Sequence, residues 1–192
     1  PVFLLDNMLH ELPQPEDWRG MVIFEPMSSA QQRDFSEWYV TLNNKLYHSP
    51  RKDYHYEYDC DLSDYTSGSY YWKAFPVGNK VYVVPHNGMD ILVVADHSVE
   101  RRIPLKNPIV RPEGFAGAWQ VGRFLFLLPM HYSAIVRYDT ETDELAYLEG
   151  DMTGLISEVQ GCPRLGGSCI WRNRLILASA SSGQVVSFDC DT

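Results

Sequence analysis

The sequence predicts an all-β protein assembled from repeated four-stranded antiparallel sheets, and three observations predict it. Short apolar runs of Val, Ile, Leu and Tyr recur between Gly, Asn, Pro and Asp, while helical spacing is nearly missing. The composition agrees: 12 Tyr, 8 Phe and 5 Trp stand among 192 residues, side chains that suit a pleated, half-buried surface. Most informative is self-similarity. Gly78-Asn79-Lys80-Val81-Tyr82-Val83-Val84-Pro85 superimposes on Gly122-Arg123-Phe124-Leu125-Phe126-Leu127-Leu128-Pro129, with glycine, apolar run and proline coinciding at an offset of 44 residues.

The elements follow from that alignment. Beyond each proline lies a short polar loop and a second run closing on Asp, Ile91 to Asp96 and Ala134 to Asp139. A third copy pairs Asn173-Arg174-Leu175-Ile176-Leu177 with Gln184-Val185-Val186-Ser187-Phe188-Asp189, at an offset near 50. Each unit therefore reads as strand a (around Ser69 to Phe75, Gly114 to Gln120, Gly166 to Trp171), strands b and c, and a short strand d such as Leu145 to Leu148. Upstream, Asn44-Lys45-Leu46-Tyr47 and Tyr54 to Asp59 align as an eroded copy, with Asn44-Lys45 placed 35 residues before Asn79-Lys80. The opening, Val2 to Asp6 followed by His10 to Pro13, reads as half a unit, and Ser28 to Glu37 alone could start a helix, capped by Ser28 or Ser29.

Repeats of this length carrying four strands are the blades of a β-propeller, each of which buries its faces only against its neighbours. The expected organisation is one propeller or part of one, about four blades of four antiparallel strands, with an irregular N-terminal third. Residues 1–40 form an irregular or partial blade, 41–66 an eroded one, and 69–105, 114–149 and 166–192 the clearer ones. Val2 to Asp6 could complete the sheet of Gly166 to Asp189 and close the ring. An open ring would expose blade edges and call for a homo-oligomer or for association with missing blades.

Within these units, Val136-Arg137-Tyr138-Asp139-Thr140-Glu141-Thr142-Asp143-Glu144-Leu145 resembles the third-strand signature of kelch-type and related β-propellers, a resemblance that extends over residues 40–192. The resemblance implies blades without implying an activity, because propellers serve as scaffolds, receptors and enzymes alike. The paired glycine of kelch blades appears once, as Gly166-Gly167; there is no Trp-Asp dipeptide and no Asp-rich calcium motif.

Charge and composition exclude several classes. With 16 basic against 25 acidic residues the chain carries −9, which repels phosphate backbones, so no nucleic acid partner is expected. The longest apolar run, Phe124 to Met130, is strand-sized, so no membrane partner is expected either. The chain begins without Met or a basic leader; it reads as soluble, with the cytoplasm favoured. Cys60, Cys162, Cys169 and Cys190 lack CxxC spacing and His partners, which argues against a zinc site; free thiols are expected over a Cys162–Cys169 disulfide. No Gly-rich phosphate loop, GxSxG elbow or HExxH occurs, and neither cofactor nor metal is expected.

Candidate chemistry lies where equivalent loops converge. In a propeller the b–c and d–a loops open on one face, here Pro50 to Asp53, His86 to Asp90, Met130 to Ser133 and Ser179 to Gly183. Polar loops on a rigid scaffold favour binding, and the candidate ligand-binding residues are His86, Asn87, His131, Tyr132 and Ser181. Asn87-Gly88 and Ser182-Gly183 also read as plain turns chosen for positive φ. The expected function is a non-catalytic module binding a protein or glycan. The alternative is a carbohydrate-active enzyme, glycoside hydrolase or lyase-like, with two carboxylates in the mouth. Asp59, Asp96, Asp139 and Asp189 recur in the repeat, which points to a turn role rather than to catalysis. Trp38, Trp72, Trp119 and Trp171, near strand a, are expected to pack between blades.

Overall fold

The computed structural model describes residues 2–5, 8–11, 38–41, 43–49, 56–65, 71–106, 114–130, 132, 134–148, 165–179 and 184–191, with backbone alone at 2–5, 8–11, 39, 72 and 166. The helix expected from Ser28 to Glu37 and the thiol of Cys162 lie outside these residues. The chain is all-β among the described residues, apart from a 3-10 turn at Ser63–Tyr65. No helix there is long and apolar enough to cross a membrane.

Sixteen strands are described. A hairpin joins β1 (Val2–Leu5) to β2 (Met8–Glu11), and β3 (Trp38–Val40), β4 (Lys45–His48) and β5 (Glu57–Asp61) form a three-stranded sheet. Next come a four-stranded sheet of β6 (Tyr71–Val77), β7 (Lys80–Pro85), β8 (Asp90–Ala95) and β9 (Ser98–Pro104), and another of β10 (Phe115–Val121), β11 (Phe124–Pro129), β12 (Ile135–Asp139) and β13 (Leu145–Leu148). The last sheet holds β14 (Leu165–Trp171), β15 (Arg174–Ser179) and β16 (Val185–Asp189). Every pairing is antiparallel and every sheet meanders in sequence order, the arrangement of consecutive propeller blades. Among the described residues, Val2–Leu5 pairs with Met8–Glu11, its neighbour in sequence, and not with β16, the strand it was expected to join.

Continuous apolar runs arise because each middle sheet is covered on both faces. Along β7, Val81 and Val83 pack toward the β3–β5 sheet, whereas Tyr82 and Val84 pack toward β10–β13. Along β11, Leu125 and Leu127 share the cluster of Tyr82 and Val84, while Phe126 and Leu128 join Leu175 and Leu177 of β15. Alternate residues thus face opposite neighbours, as a period of two requires, so the core consists of three layers between four sheets. The outer strand β9 reads differently: Ser98–Pro104 alternates exposed side chains with buried or half-buried ones, Val99 and Ile103 packing into the layers on either side.

Polar side chains tie the inner strands together. Lys73 of β6 is buried, donates from Nζ to the Ala118 carbonyl of β10 at 2.8 Å, and stands 4.8 Å over the Trp119 ring. Burial lowers its pKa to about 8. Trp119 in turn donates from Nε1 to Ser168 Oγ of β14 at 2.9 Å. Trp119 therefore packs between blades as expected, whereas the Trp72 side chain lies outside the described residues and Trp171 is half-buried, beneath the Arg172 guanidinium at 4.6 Å.

The a–b hairpins turn through two residues whose first has positive φ: Gly78 at 62°, Gly122 at 57° and Arg172 at 54°. Glycine adopts that conformation freely, and Arg172 holds it against its Cβ. Further out, Arg101 of β9 grips Asp143 through two bonds of 2.6 and 2.8 Å, and Tyr138 also donates to Asp143, clamping two blades. These donors hold the Asp143 carboxyl at about 2.

The eroded first copy is turned end for end relative to the sequence alignment. Asn44, matched to Asn79 of an a–b turn, instead accepts from the Tyr71 amide on Oδ1 at 3.2 Å, at the end where β6 begins. Its carbonyl accepts from the Leu62 amide at 2.8 Å, as the Met89 carbonyl accepts from Leu105 at 2.8 Å in the next sheet. Leu62 and Leu105 each follow the last strand of their sheet. So β3, β4 and β5 run in the directions of strands b, c and d, and 41–44 is a b–c loop. His48 and Glu57, which flank Pro50 to Asp53, consequently lie at the opposite end from the expected mouth. The offset misled because Asn-Lys opens a strand at either end of a blade.

Candidate functional site

The b–c end carries the residues singled out from sequence. His86 is 5% exposed and locked to strand β10 of the next blade: its carbonyl accepts from the Phe115 amide at 2.9 Å and its Nδ1 meets the Phe115 carbonyl at 2.8 Å. A carbonyl can only accept, so Nδ1 carries the proton. Phe115 forms a non-hydrogen-bonded pair with Pro129, since the Gly114 carbonyl takes the Met130 amide, so the Phe115 amide and carbonyl turn away from β11 and toward His86. Asn87 follows half-buried, and Met89 emerges at 36% exposure. Asp90 is buried against the Arg102 guanidinium.

Tyr132 closes the other side of Phe115. It is 3% exposed, stacked on Phe115 at 4.9 Å and on Tyr147 at 6.3 Å, and its hydroxyl donates to the Lys106 carbonyl. The Lys106 amide returns a bond to the Tyr147 hydroxyl at 2.6 Å, and the Gly114 carbonyl accepts from Met130 and Tyr132 amides at 2.9 and 3.2 Å. His86 and Tyr132 thus converge on one residue, Phe115, rather than on an open mouth. His131 and Ser181 lie outside the described residues.

Burial, with Asp90 close by, raises the Tyr71 hydroxyl far above its ordinary range, so it stays protonated. Among the described residues no group of three His, Cys, Asp or Glu side chains is placed to hold a metal ion. What the arrangement offers chemically is an ordered surface of amide, thioether and backbone groups.

The recurrent aspartates divide into three kinds. Asp139 accepts turn amides of Glu141 and Thr142 at 3.0 and 3.3 Å and pairs with Arg123 at 3.0 Å; burial pushes its pKa up, but these donors outweigh it and the carboxyl is lowered. Asp189 repeats the motif with the Asp191 amide at 3.1 Å and Arg174 at 3.4 Å. Asp96 occupies the two-residue turn itself, with φ of 48° beside His97 at 60°. Asp59 is different again, since it lies inside β5, the last strand of its three-stranded sheet.

That difference exposes a cavity absent from the sequence reading. At the end opposite the b–c loops, about 410 Å³ of space opens between the β3–β5 and β6–β9 sheets. Trp38 and His48, stacked at 4.4 Å and 18°, line one side; Asp59, Lys80 and Asp96 supply the charge, with the His97 ring beside them. Sequence offered one signal, His97 beside Asp96 in a two-residue turn, but nothing that tied it to Trp38 some sixty residues earlier.

No family profile matches this chain, and no curated protein matches it. Among solved structures it is similar to virginiamycin B lyase from Staphylococcus aureus, at 13% identity and a TM-score of 0.46 over 79% of this chain and 54% of that one. A streptogramin B lyase gives 15% identity and 0.45 over 81% and 54%, and Kluyveromyces lactis Hsv2 gives 10% and 0.42 over 80% and 40%. The chain thus spans about half the length of the first two. At such identities these likenesses assign no activity to it.

Proposed function

We propose that this chain is a non-catalytic binding module whose b–c loop end takes a protein or glycan ligand. The observation that carries the proposal is the double hydrogen bond between His86 and Phe115, which fixes a b–c loop to the neighbouring blade before any ligand arrives. A loop held in place loses little conformational freedom on binding. In this reading Asn87 and Met89 supply the described part of the contact surface and His86 and Tyr132 support it from below, while the sequence candidates His131 and Ser181 lie outside the described residues.

The enzyme alternative needs a carboxylic acid raised by its surroundings beside a second, ionised carboxylate. Asp61, Asp139 and Asp143 are all lowered instead, and Asp90 faces Arg102. As part of the same proposal the module belongs with kelch-type propellers and works in the cytoplasm, where the thiols of Cys60, Cys169 and Cys190, free in the structure, stay reduced. A glycan array, probed with the wild-type chain and with Asn87→Ala/His131→Ala/Ser181→Ala, tests the reading. Binding that falls at least tenfold in the triple variant, and survives in the opposite-end variant Glu144→Gln, supports it; equal binding by both variants overturns it.

A further inference from the structure

The cavity between the β3–β5 and β6–β9 sheets contains a group that the fold leaves half satisfied. The Asp59 side chain is only 5% exposed, yet among the described residues Oδ1 has one hydrogen-bond partner, His97 Nδ1 at 2.7 Å, and the buried Oδ2 has none, with only the adjoining Cys60 thiol as a further, weak donor to the carboxylate. Ser49 Oγ, at the same end of β4, is also buried without a partner. Withdrawing a carboxylate from water is costly unless donors replace the lost hydration, and an imidazole that is itself 79% exposed, with the weak donor of the adjoining Cys60 thiol, replaces little of it. Blade packing explains Asp139 and Asp189, whose turn amides and arginines surround them; it gives Asp59 no comparable set.

We propose that this cavity binds an organic ammonium ion carried on an apolar body. An ammonium that moves the exposed His97 ring aside meets Asp59 with three donors, enough for both carboxylate oxygens. The remaining charges agree with a cation. Asp96 adds a second negative group at the rim, and Lys80 is engaged by Glu100 at 2.9 Å. The stacked Trp38 and His48 rings offer the wall for the apolar body, and about 410 Å³ falls within the range of small-molecule sites. The site lies at the opposite end of the blades from the b–c loops, so it stands or falls separately from the function proposed above.

The test uses two probes with one body and opposite charge, 2-phenylethylammonium and phenylacetate, titrated against the chain while the Trp38 indole and His97 ring resonances are followed. Saturable shifts at both residues with the ammonium, and at least tenfold weaker binding of phenylacetate, are expected. Asp59→Asn, nearly the same shape, should weaken the ammonium at least tenfold. His97→Ala, on an exposed ring, should tighten it severalfold by removing the competing donor. Equal affinity for both probes, an unchanged affinity in Asp59→Asn, or no saturable shift at Trp38 would overturn the proposal.

Discussion

The two ends of these blades treat buried polar groups in opposite ways. At the b–c end, His86, Asn44 and Gly114 each place a polar atom where a neighbouring strand lacks a partner, so burial and hydrogen bonding coincide. At the opposite end, Asp59 is buried with one oxygen unpartnered, and a cavity stands beside it. A fold assembled from repeats can satisfy its recurring groups by a recurring device, as at Asp139 and Asp189. Asp59 sits outside the repeat register and receives no such device, and that is where a ligand has room to act.

The largest effect should follow from cutting the tie at the b–c end. His86→Ala removes the donor to the Phe115 carbonyl and leaves a void, a loss of about 2–3 kcal/mol in chemical denaturation. A change below 0.5 kcal/mol would show that the two ends do not differ as described. Next comes Lys73, whose folded pKa of about 8 lies below its value in an unfolded chain. The unfolded state then binds more protons between about pH 8 and 10.5, so this group makes stability rise with pH across that window. Measured against Lys73→Met, in which the other alkaline titrations cancel, the wild type should gain on the order of 1–2 kcal/mol between pH 8 and 9.5. A flat difference would mean that Lys73 is hydrated.

Smaller effects sharpen the comparison at the turns. Arg172→Gly places at the third hairpin the residue already present at Gly78 and Gly122, and should stabilise by about 0.5–1 kcal/mol less the contact with Trp171. A lower thermal midpoint would show that the ring contact outweighs the backbone strain. The Arg101–Asp143 clamp is half exposed and screened, so its share is well under 1 kcal/mol. The folded Asp143 carboxyl titrates at about 2, below its ordinary 3.8, so that share is full above about pH 4 and is lost as pH falls toward 2. Asp143→Asn should therefore differ from wild type at pH 6 and match it at pH 2.

Much of the fold was legible because its signals are local. The glycine, apolar run and proline of β7 and β11 mark a hairpin strand buried in all but its first residue, and Leu145–Leu148 matches the fourth strand read from the repeat. The direction of the β3–β5 sheet was not legible, since Asn44-Lys45 and Asn79-Lys80 present the same dipeptide at opposite ends of a blade. At the candidate site, the loop position of His86 could be read from the repeat. Its burial could not, because it depends on Phe115, 29 residues further on, turning its amide and carbonyl away from β11 toward His86. The cavity was hidden for the same reason, as Trp38, Asp59 and His97 meet only through the packing of two sheets.

The contrast between the two ends is tested most directly by the urea midpoint of Asp59→Asn against wild type at neutral pH. Removing a charge that is buried and half satisfied should leave the midpoint unchanged or raise it, with an effect up to about 1 kcal/mol, opposite in sign to His86→Ala. A midpoint lowered by as much as in His86→Ala would mean that Asp59 is as fully tied as the b–c end, and would contradict the account.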